Sequence, residues 1–411
     1  NSAIFTPLDF LNPVLSAREN LVAGAPEWLG WAWFAWTLPF LWIAVTMSVR
    51  RAASAGASPW VGLLVLVPAV NLLCMLLLAA LPARQSVAQR SFDSTVSAMH
   101  KLRSALTGVG VGLLIAMGMV GVGVYLFDTY GASLFLGTPV LMGAVGGVIY
   151  NSAGPRSVSA SMSLGTLTVI LAGGALLLFA MEGIICIVMA APIAIPLGGL
   201  GGVIGKLIAE STIRPARGMT AAVVFLPLWA GAESFAPPQH EFVVVTAVEI
   251  NAPPDRVWEN VIHFPDLPEP DEWYFLAGIS CPLRASMDGQ GVGATRHCIF
   301  TTGEFVEPVT VWDEPHRLAF DVTEQPAPMF ELSPYRHVHP PHLDGTLRST
   351  RGEFRLVPLP GGRTRLEGRT WYEFDMYPHA YWTLWSDLMI HRIHVRVLEH
   401  IGRLSETPDA S

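Results

Sequence analysis

Apolar stretches long enough to cross a bilayer follow one another from residue 28 to residue 235, and the chain beyond residue 240 has none. A spanning helix needs about 20 mostly apolar residues. Seven segments meet that length: 28–48, 60–81, 106–127, 132–150, 161–181, 184–205 and 219–235. The first opens with Trp28, Trp31, Trp33 and Trp36, an aromatic band of the sort found at membrane interfaces. The last is short, contains Pro227 and ends at Glu233. This pattern predicts a helical polytopic membrane domain over 28–235, preceded by an N-terminal segment, 1–27.

Charge divides the chain at the same place. Residues 1–239 carry 11 Lys/Arg and 8 Asp/Glu, whereas 240–411 carry 14 and 25, so a net of +3 gives way to one of −11. Neither half presents the basic field that nucleic acid requires. Arg84, Arg90, Lys101, Arg103, Arg156, Lys206, Arg214 and Arg217 fall in loops that seven spans would place on one side, and the positive-inside rule makes that side cytoplasmic. The soluble part then lies outside, in a periplasm, with the protein in a bacterial inner membrane. Arg50 and Arg51, after the first span, oppose that assignment.

Within the apolar region, Gly198 with Gly202 and Gly201 with Gly205 form small-xxx-small patterns that let helices approach closely, either inside the chain or toward a membrane partner. Glu182 is the one acidic residue of the tract 161–205. A carboxylate there is either an intramembrane polar site or the turn of a helical hairpin at the water boundary. Gly205-Lys206 fails as a phosphate loop, because Leu200 and Leu207 stand where Gly and Ser/Thr are needed. The stretch 38–82, with Val49-Arg-Arg-Ala-Ala-Ser-Ala-Gly56 and Ser58-Pro-Trp60, resembles a small bacterial inner-membrane family of unknown function, although the His and Asp of that family's loop are missing.

After Ala236-Pro-Pro238 the periodicity changes. Residues 241–250 alternate as a strand, Asn251-Ala-Pro-Pro254 stops it, and a short helix covers 256–262. Strands are predicted near 277–285, 294–301, 303–312, 317–323, 346–357 and 363–375. In the last of these, Arg363, Arg365, Glu367, Arg369 and Glu373 share one parity, and Leu366, Thr370, Tyr372 and Phe374 the other. From Tyr381 to Ile401 apolar residues recur at three- and four-residue steps, a long amphipathic helix with a stripe too broad for a lone surface helix.

Val248-Glu-Ile-Asn-Ala-Pro-Pro-Asp-Arg-Val-Trp258, Gly289-Gln-Gly-Val-Gly293 with Arg296, Trp312-Asp-Glu-Pro-His-Arg-Leu-Ala-Phe320 and the closing helix together resemble the SRPBCC superfamily, which includes START-type lipid-transfer domains and polyketide cyclases. The resemblance implies an α+β helix-grip fold over 240–405, with a seven-stranded curved antiparallel sheet around the last helix, an apolar cavity between them and a tail at 406–411.

Inward parity makes Phe305, Phe320, Tyr372 and Phe374 candidate ligand contacts, with Trp382, Trp385 and Met389 opposite on the helix and Tyr335 from the loop 325–345. That loop holds five prolines and is read as a lid or a membrane-resting shelf. Its His337, His339, His342 and Asp344 have metal-ligand spacing, but zinc needs three or four converging ligands; they are read as surface histidines, with no metal or cofactor expected. Glu304, His297 and Tyr372 are the groups suited to acid–base work if the domain is an enzyme. His391 and His394 share a helix face, with Asp387 one turn before His391, and read as a neutral pole of the helix near Glu399 and the Arg residues and not as a site. Cys281 and Cys298 flank Gly289-Gln290 almost symmetrically, which predicts that they face each other across two antiparallel strands; whether they bond depends on an oxidising compartment and is left open by the sequence.

Three functions compete. A membrane-tethered module that binds or transfers a lipid or other hydrophobic small molecule predicts apolar cavity walls. A cyclase- or dehydratase-like enzyme predicts a polar pair deep in the cavity. An accessory subunit of a membrane complex predicts a filled core. The visible apolar walls favour the first.

Overall fold

A computed structural model describes residues 43–52, 54–55, 57–66, 70–81, 92–152, 154–211, 215–235, 241–335 and 338–407. The N-terminal segment and most of the stretch 28–48 lie outside these, as does His337. The chain forms two compact units, one of residues 1–235 with Glu331–Pro340 and the other of Ala236–Phe330 with Pro341–Ser411.

The first unit is helical. Four of its helices are long and apolar enough to cross a membrane: Met99–Gly123, Ser133–Ser152, Val158–Leu178 and Ile184–Glu210. Around 60–81 the described residues form a 3-10 segment, Pro59–Leu66, and a helix, Val70–Ala80. Arg51 donates to the carbonyls of Ala79 and Leu81 at the end of that helix. It is thus spent on a helix C-terminus, where a cation suits the dipole.

The glycine rows explain how the helices meet. A Cβ on Gly198 would strike the side chain of Val169, and one on Gly202 the carbonyl of Ser161. On the adjacent face, Gly201 and Gly205 leave the same room for the carbonyls of Val140 and Ala144. These faces are buried between helices of the chain itself.

Glu182 stands in the turn between Val158–Leu178 and Ile184–Glu210, the hairpin alternative of the two readings. At the same end, Tyr335 and Val338 pack against Ala180. Ile184 N–H donates to Leu332 O at 2.8 Å, and the Cys186 thiol to Glu331 Oε1 at 2.6 Å. The middle of the proline-rich loop therefore belongs to the helical unit.

The second unit is a single sheet and a long helix. Strands β1 (Phe242–Ile250), β2 (Pro282–Asp288), β3 (Thr295–Phe300), β4 (Gly303–Asp313), β5 (Arg317–Asp321), β6 (Leu347–Leu359) and β7 (Arg363–Phe374) are ordered β1-β7-β6-β5-β4-β3-β2. Every pairing is antiparallel. The sheet is curved, and the closing helix, His379–Glu406, follows it. Together they make the helix-grip arrangement.

The period of two on β7 holds: Leu366, Tyr372 and Phe374 are buried while Arg363, Arg365 and Glu373 are exposed. One core joins Val257, Trp258 and Val261 of the helix Pro254–Ile262 to Leu318, Leu366, Leu398 and Ile401. On the sheet edge the hairpin register differs from the expected one. Asp288 opposes Thr295 and Ala285 opposes Cys298, so the turn centres on Gly291-Val292 and not on Gly289-Gln290. That displaces Cys281 from Cys298 along the ladder, and both are free thiols.

Candidate ligand cavity

Between the sheet and the closing helix lies a cavity of about 120 Å³. Phe300 (β3), Phe305 (β4), Phe320 (β5) and Phe354 (β6) supply its aromatic walls, and Ile390, Ile393, Val397 and Leu398 its helical roof. Alternation along β3 and β4 carries Arg296, Cys298 and Glu307 to the same inner face, since Cys298 opposes Phe305 and Arg296 opposes Glu307. These residues were not among the expected contacts. Their inward parity was readable, but an Arg and a Glu read as solvent-facing until the partner strand is known.

Arg296 and Glu307 are 2% and 6% exposed and form an ion pair. The guanidinium carbon lies 5.2 Å from the Phe320 ring centroid, 5.4 Å from Phe354 and 5.9 Å from Phe264. Burial pushes the Glu307 carboxyl above the usual carboxylate range, against the pull of Arg296. It also pushes the Cys298 thiol up to about 12, so no thiolate nucleophile exists there at neutral pH.

On the opposite wall His394 bonds through Nε2 to Thr370 Oγ1 at 2.8 Å and through Nδ1 to Thr246 Oγ1 at 3.1 Å. Thr246 Oγ1 also meets His391 Nδ1 at 2.8 Å. Burial, reinforced by His391, lowers the His394 pKa to about 4, so its ring is neutral. The neutral ring agrees with the reading of His391 and His394 as a neutral pole of the helix, whose face here meets Thr246 of β1 and Thr370 of β7.

The other expected residues divide. Phe305 and Phe320 line the cavity. Tyr372 does not; it is fully buried and its hydroxyl donates to Asp387 Oδ1 at 2.6 Å, with Ser386 Oγ at 2.8 Å, fastening β7 to the closing helix. Phe374 packs edge-on against Tyr372, Trp382 is buried, and Trp385 and Met389 are half-buried. Tyr335 sits in the helical unit.

His297 pairs with Glu304 and lies 3.4 Å from Asp288 Oδ2, but this group is on the outer face, in a shallow groove with Asp266 and Arg284. Odd positions of β3 point away from the cavity, so Glu304, His297 and Tyr372 are never brought together. His339 is exposed, whereas His342 is buried and not the surface residue expected.

Residues 241–376 match the family model described as polyketide cyclase / dehydrase and lipid transport. No curated protein matches the chain. Among solved structures, a protein from Nitrosospira multiformis is 18% identical, covering 41% of this chain and 99% of its own, with a TM-score of 0.27. A truncated norcoclaurine synthase from Thalictrum flavum is 15% identical over 41% and 96%, TM-score 0.26. The Zhui aromatase/cyclase from a Streptomyces species is 15% identical over 41% and 94%, TM-score 0.26. The match over 241–376 falls on the grip fold, so the C-terminal part of this chain is similar to the polyketide cyclase / dehydrase and lipid transport family.

Proposed function

We propose that the grip domain binds a lipid-derived or other hydrophobic small molecule in its cavity, held beside a membrane by the helical unit. One observation carries this reading: the space between sheet and helix is walled by four phenylalanines and an aliphatic roof. Magnitude limits the occupant. Ligand pockets usually run to about 300–1,000 Å³, and a dry cavity of about 150 Å³ takes a benzene ring. At about 120 Å³ the cavity suits one ring or a short acyl end, with a longer ligand reaching outward.

Native mass spectrometry of the detergent-purified full chain tests this. The expected result is a bound apolar molecule that is lost from an Ile393→Trp variant, whose indole fills the space under the roof. A molecule retained by that variant, or none in the unaltered chain, would overturn the reading. A cyclase- or dehydratase-like activity is the second reading, favoured by the ionisable Arg296 and Glu307 in the cavity wall.

The domain is further proposed to lie on the side opposite the basic loops. Lys101 and Arg103 begin the first long helix, Arg156 joins the second and third, and Lys206 closes the fourth, so all mark one end of the helical unit. Glu233, at the end of Pro215–Glu233, reaches the other end: its carboxylate accepts from Ser133 N–H at 3.2 Å and Ser133 Oγ at 2.6 Å. Nineteen residues span about 28 Å, enough to cross. Residues 331–340 also pack at the Glu182 end. A cysteine replacing Ser234 is expected to react with an impermeant maleimide in intact cells, while one replacing Arg156 stays protected; the reverse pattern would refute the assignment.

A further inference from the structure

Three large apolar side chains stand exposed together on the grip domain. Trp273, Leu276 and Phe330 are 76%, 68% and 58% exposed. Trp273 and Leu276 lie three residues apart on the short helix Trp273–Leu276 and share its outer face, while Phe275 between them is buried. Phe330 joins them through the backbone: its N–H donates at 2.8 Å to the carbonyl of Gly278, two residues beyond Leu276. A single exposed apolar residue is ordinary, as Val292 is on its glycine-flanked hairpin, but a group of this size marks a contact.

The patch is held firmly from behind. Arg396 of the closing helix donates to Glu272 Oε2 at 3.2 Å and to the carbonyl of Pro268, and its guanidinium carbon lies 5.7 Å from the ring centroid of Phe275. The outward face is therefore built into the fold.

What covers it follows from where the chain goes next. Phe330 is one peptide bond from Glu331, and Glu331 and Leu332 are hydrogen-bonded to Cys186 and Ile184 in the first turn of Ile184–Glu210. That helix is long and apolar enough to cross a membrane. Consecutive Cα atoms are about 3.8 Å apart, so the chain itself keeps Phe330 beside the end of that helix. The end of a spanning helix lies at the lipid headgroups, a zone that favours Trp and other amphipathic rings. Charge narrows the lipid, since Glu269, Asp271 and Glu272 immediately precede Trp273 and an anionic surface would repel them.

We propose, building on the membrane reading above, that Trp273, Leu276 and Phe330 dip into the interfacial layer of a bilayer of zwitterionic lipid. They give the grip domain a second hold on the membrane besides its covalent link to the helices.

The test uses the full chain in phosphatidylcholine vesicles that carry a spin label high on the acyl chain. Leu276, Phe330, Val292 and Val188, all exposed, are replaced in turn by cysteine and labelled with an environment-sensitive fluorophore. The signal of the unaltered chain, treated in the same way, is subtracted. Quenching at Leu276→Cys and Phe330→Cys is expected to exceed that at Val292→Cys about threefold or more, because an interfacial apolar face sits about 5–10 Å into the headgroup/acyl boundary, beside the spin label. Val188→Cys, on Ile184–Glu210, is expected to be quenched as well. If Val188→Cys is quenched but Leu276→Cys and Phe330→Cys are quenched no more than Val292→Cys, the second hold is overturned and the membrane reading stands. No quenching at Val188→Cys would overturn both. Adding phosphatidylglycerol should leave the ratio unchanged or lower it; a rise would overturn the zwitterionic assignment.

Discussion

Replacing Glu307 alone by leucine is expected to destabilise the grip domain by about 3–5 kcal/mol, because it strands the Arg296 guanidinium in the core. Arg296 is 2% exposed, and besides Glu307 it meets the Cys298 thiol and the rings of Phe264, Phe320 and Phe354. Those faces attract a cation, but they supply no hydrogen-bond acceptor and no counter-charge, so they do not offset the cost of an unpaired buried charge. Adding Arg296→Met should recover most of the loss, since an ion pair replaced by apolar side chains of similar volume is often neutral or stabilising. Glu304→Gln gives the contrast from the same pair of strands. Glu304 pairs with His297 on the outer face and is exposed, so its loss should change stability by less than about 1 kcal/mol. Hydrogen exchange of the β3 and β4 amides in the full chain reads all three variants. A Glu307→Leu protein as protected as the Glu304→Gln protein would show that the inner pair contributes nothing.

That contrast also marks what the residues alone disclose. Inward and outward faces were legible because a strand alternates strictly: Leu366, Tyr372 and Phe374 went in and Arg363 and Arg365 stayed out. The closing helix was legible for a similar reason, its stripe running from Trp382 through Ile390 to Ile401. The identity of the polar lining was not. Arg296 and Glu307 become partners only when β3 and β4 pair in one register, and no local pattern announces that two opposite charges eleven residues apart will share a dry site. His297 shows the converse error. It is chemically apt for acid–base work, yet one step along the strand reverses its face.

Loops hid more. The β2–β3 turn contains Gly289, Gly291 and Gly293, all at positive φ, so several turn centres were sterically open and the true one moved Cys281 away from Cys298. The proline-rich loop was divided by contacts no spacing reveals. Its start is tied to the grip domain by Ser280 N–H to Pro328 O at 3.0 Å and Phe330 N–H to Gly278 O at 2.8 Å, while Glu331–Pro340 joins the helices. The helical unit was legible where apolar length decides, as in the four long helices, and less so at 60–81, where a 3-10 segment, Pro59–Leu66, precedes the helix Val70–Ala80.

Acid should destabilise the grip domain through His394, and the sign follows from burial. The ring lies between β1, β7 and the cavity, hydrogen-bonded at both nitrogens to Thr370 and Thr246, and desolvation with the nearby His391 lowers its pKa from 6.5 to about 4. The unfolded chain therefore binds a proton between pH 6.5 and about 4 that the folded chain refuses. Stability from this group is complete above pH 6.5 and is lost as pH falls through that window. At about 1.4 kcal/mol per pH unit, the loss is at most about 3 kcal/mol. His400 titrates with the same sign, its pKa lowered by burial and by Arg403 and Arg396, and the carboxylates add their own acid dependence, so the unaltered chain alone cannot isolate one ring. A His394→Gln variant can. Glutamine keeps a donor and an acceptor near Thr370 but does not titrate, while every other group stays as it was. Denaturation of both proteins from pH 7.5 to about 4 should give curves that converge as pH falls, the variant losing up to about 3 kcal/mol less. Parallel curves would mean that the His394 ring takes up its proton in the folded domain as readily as in the unfolded chain, and that this wall of the cavity is wet.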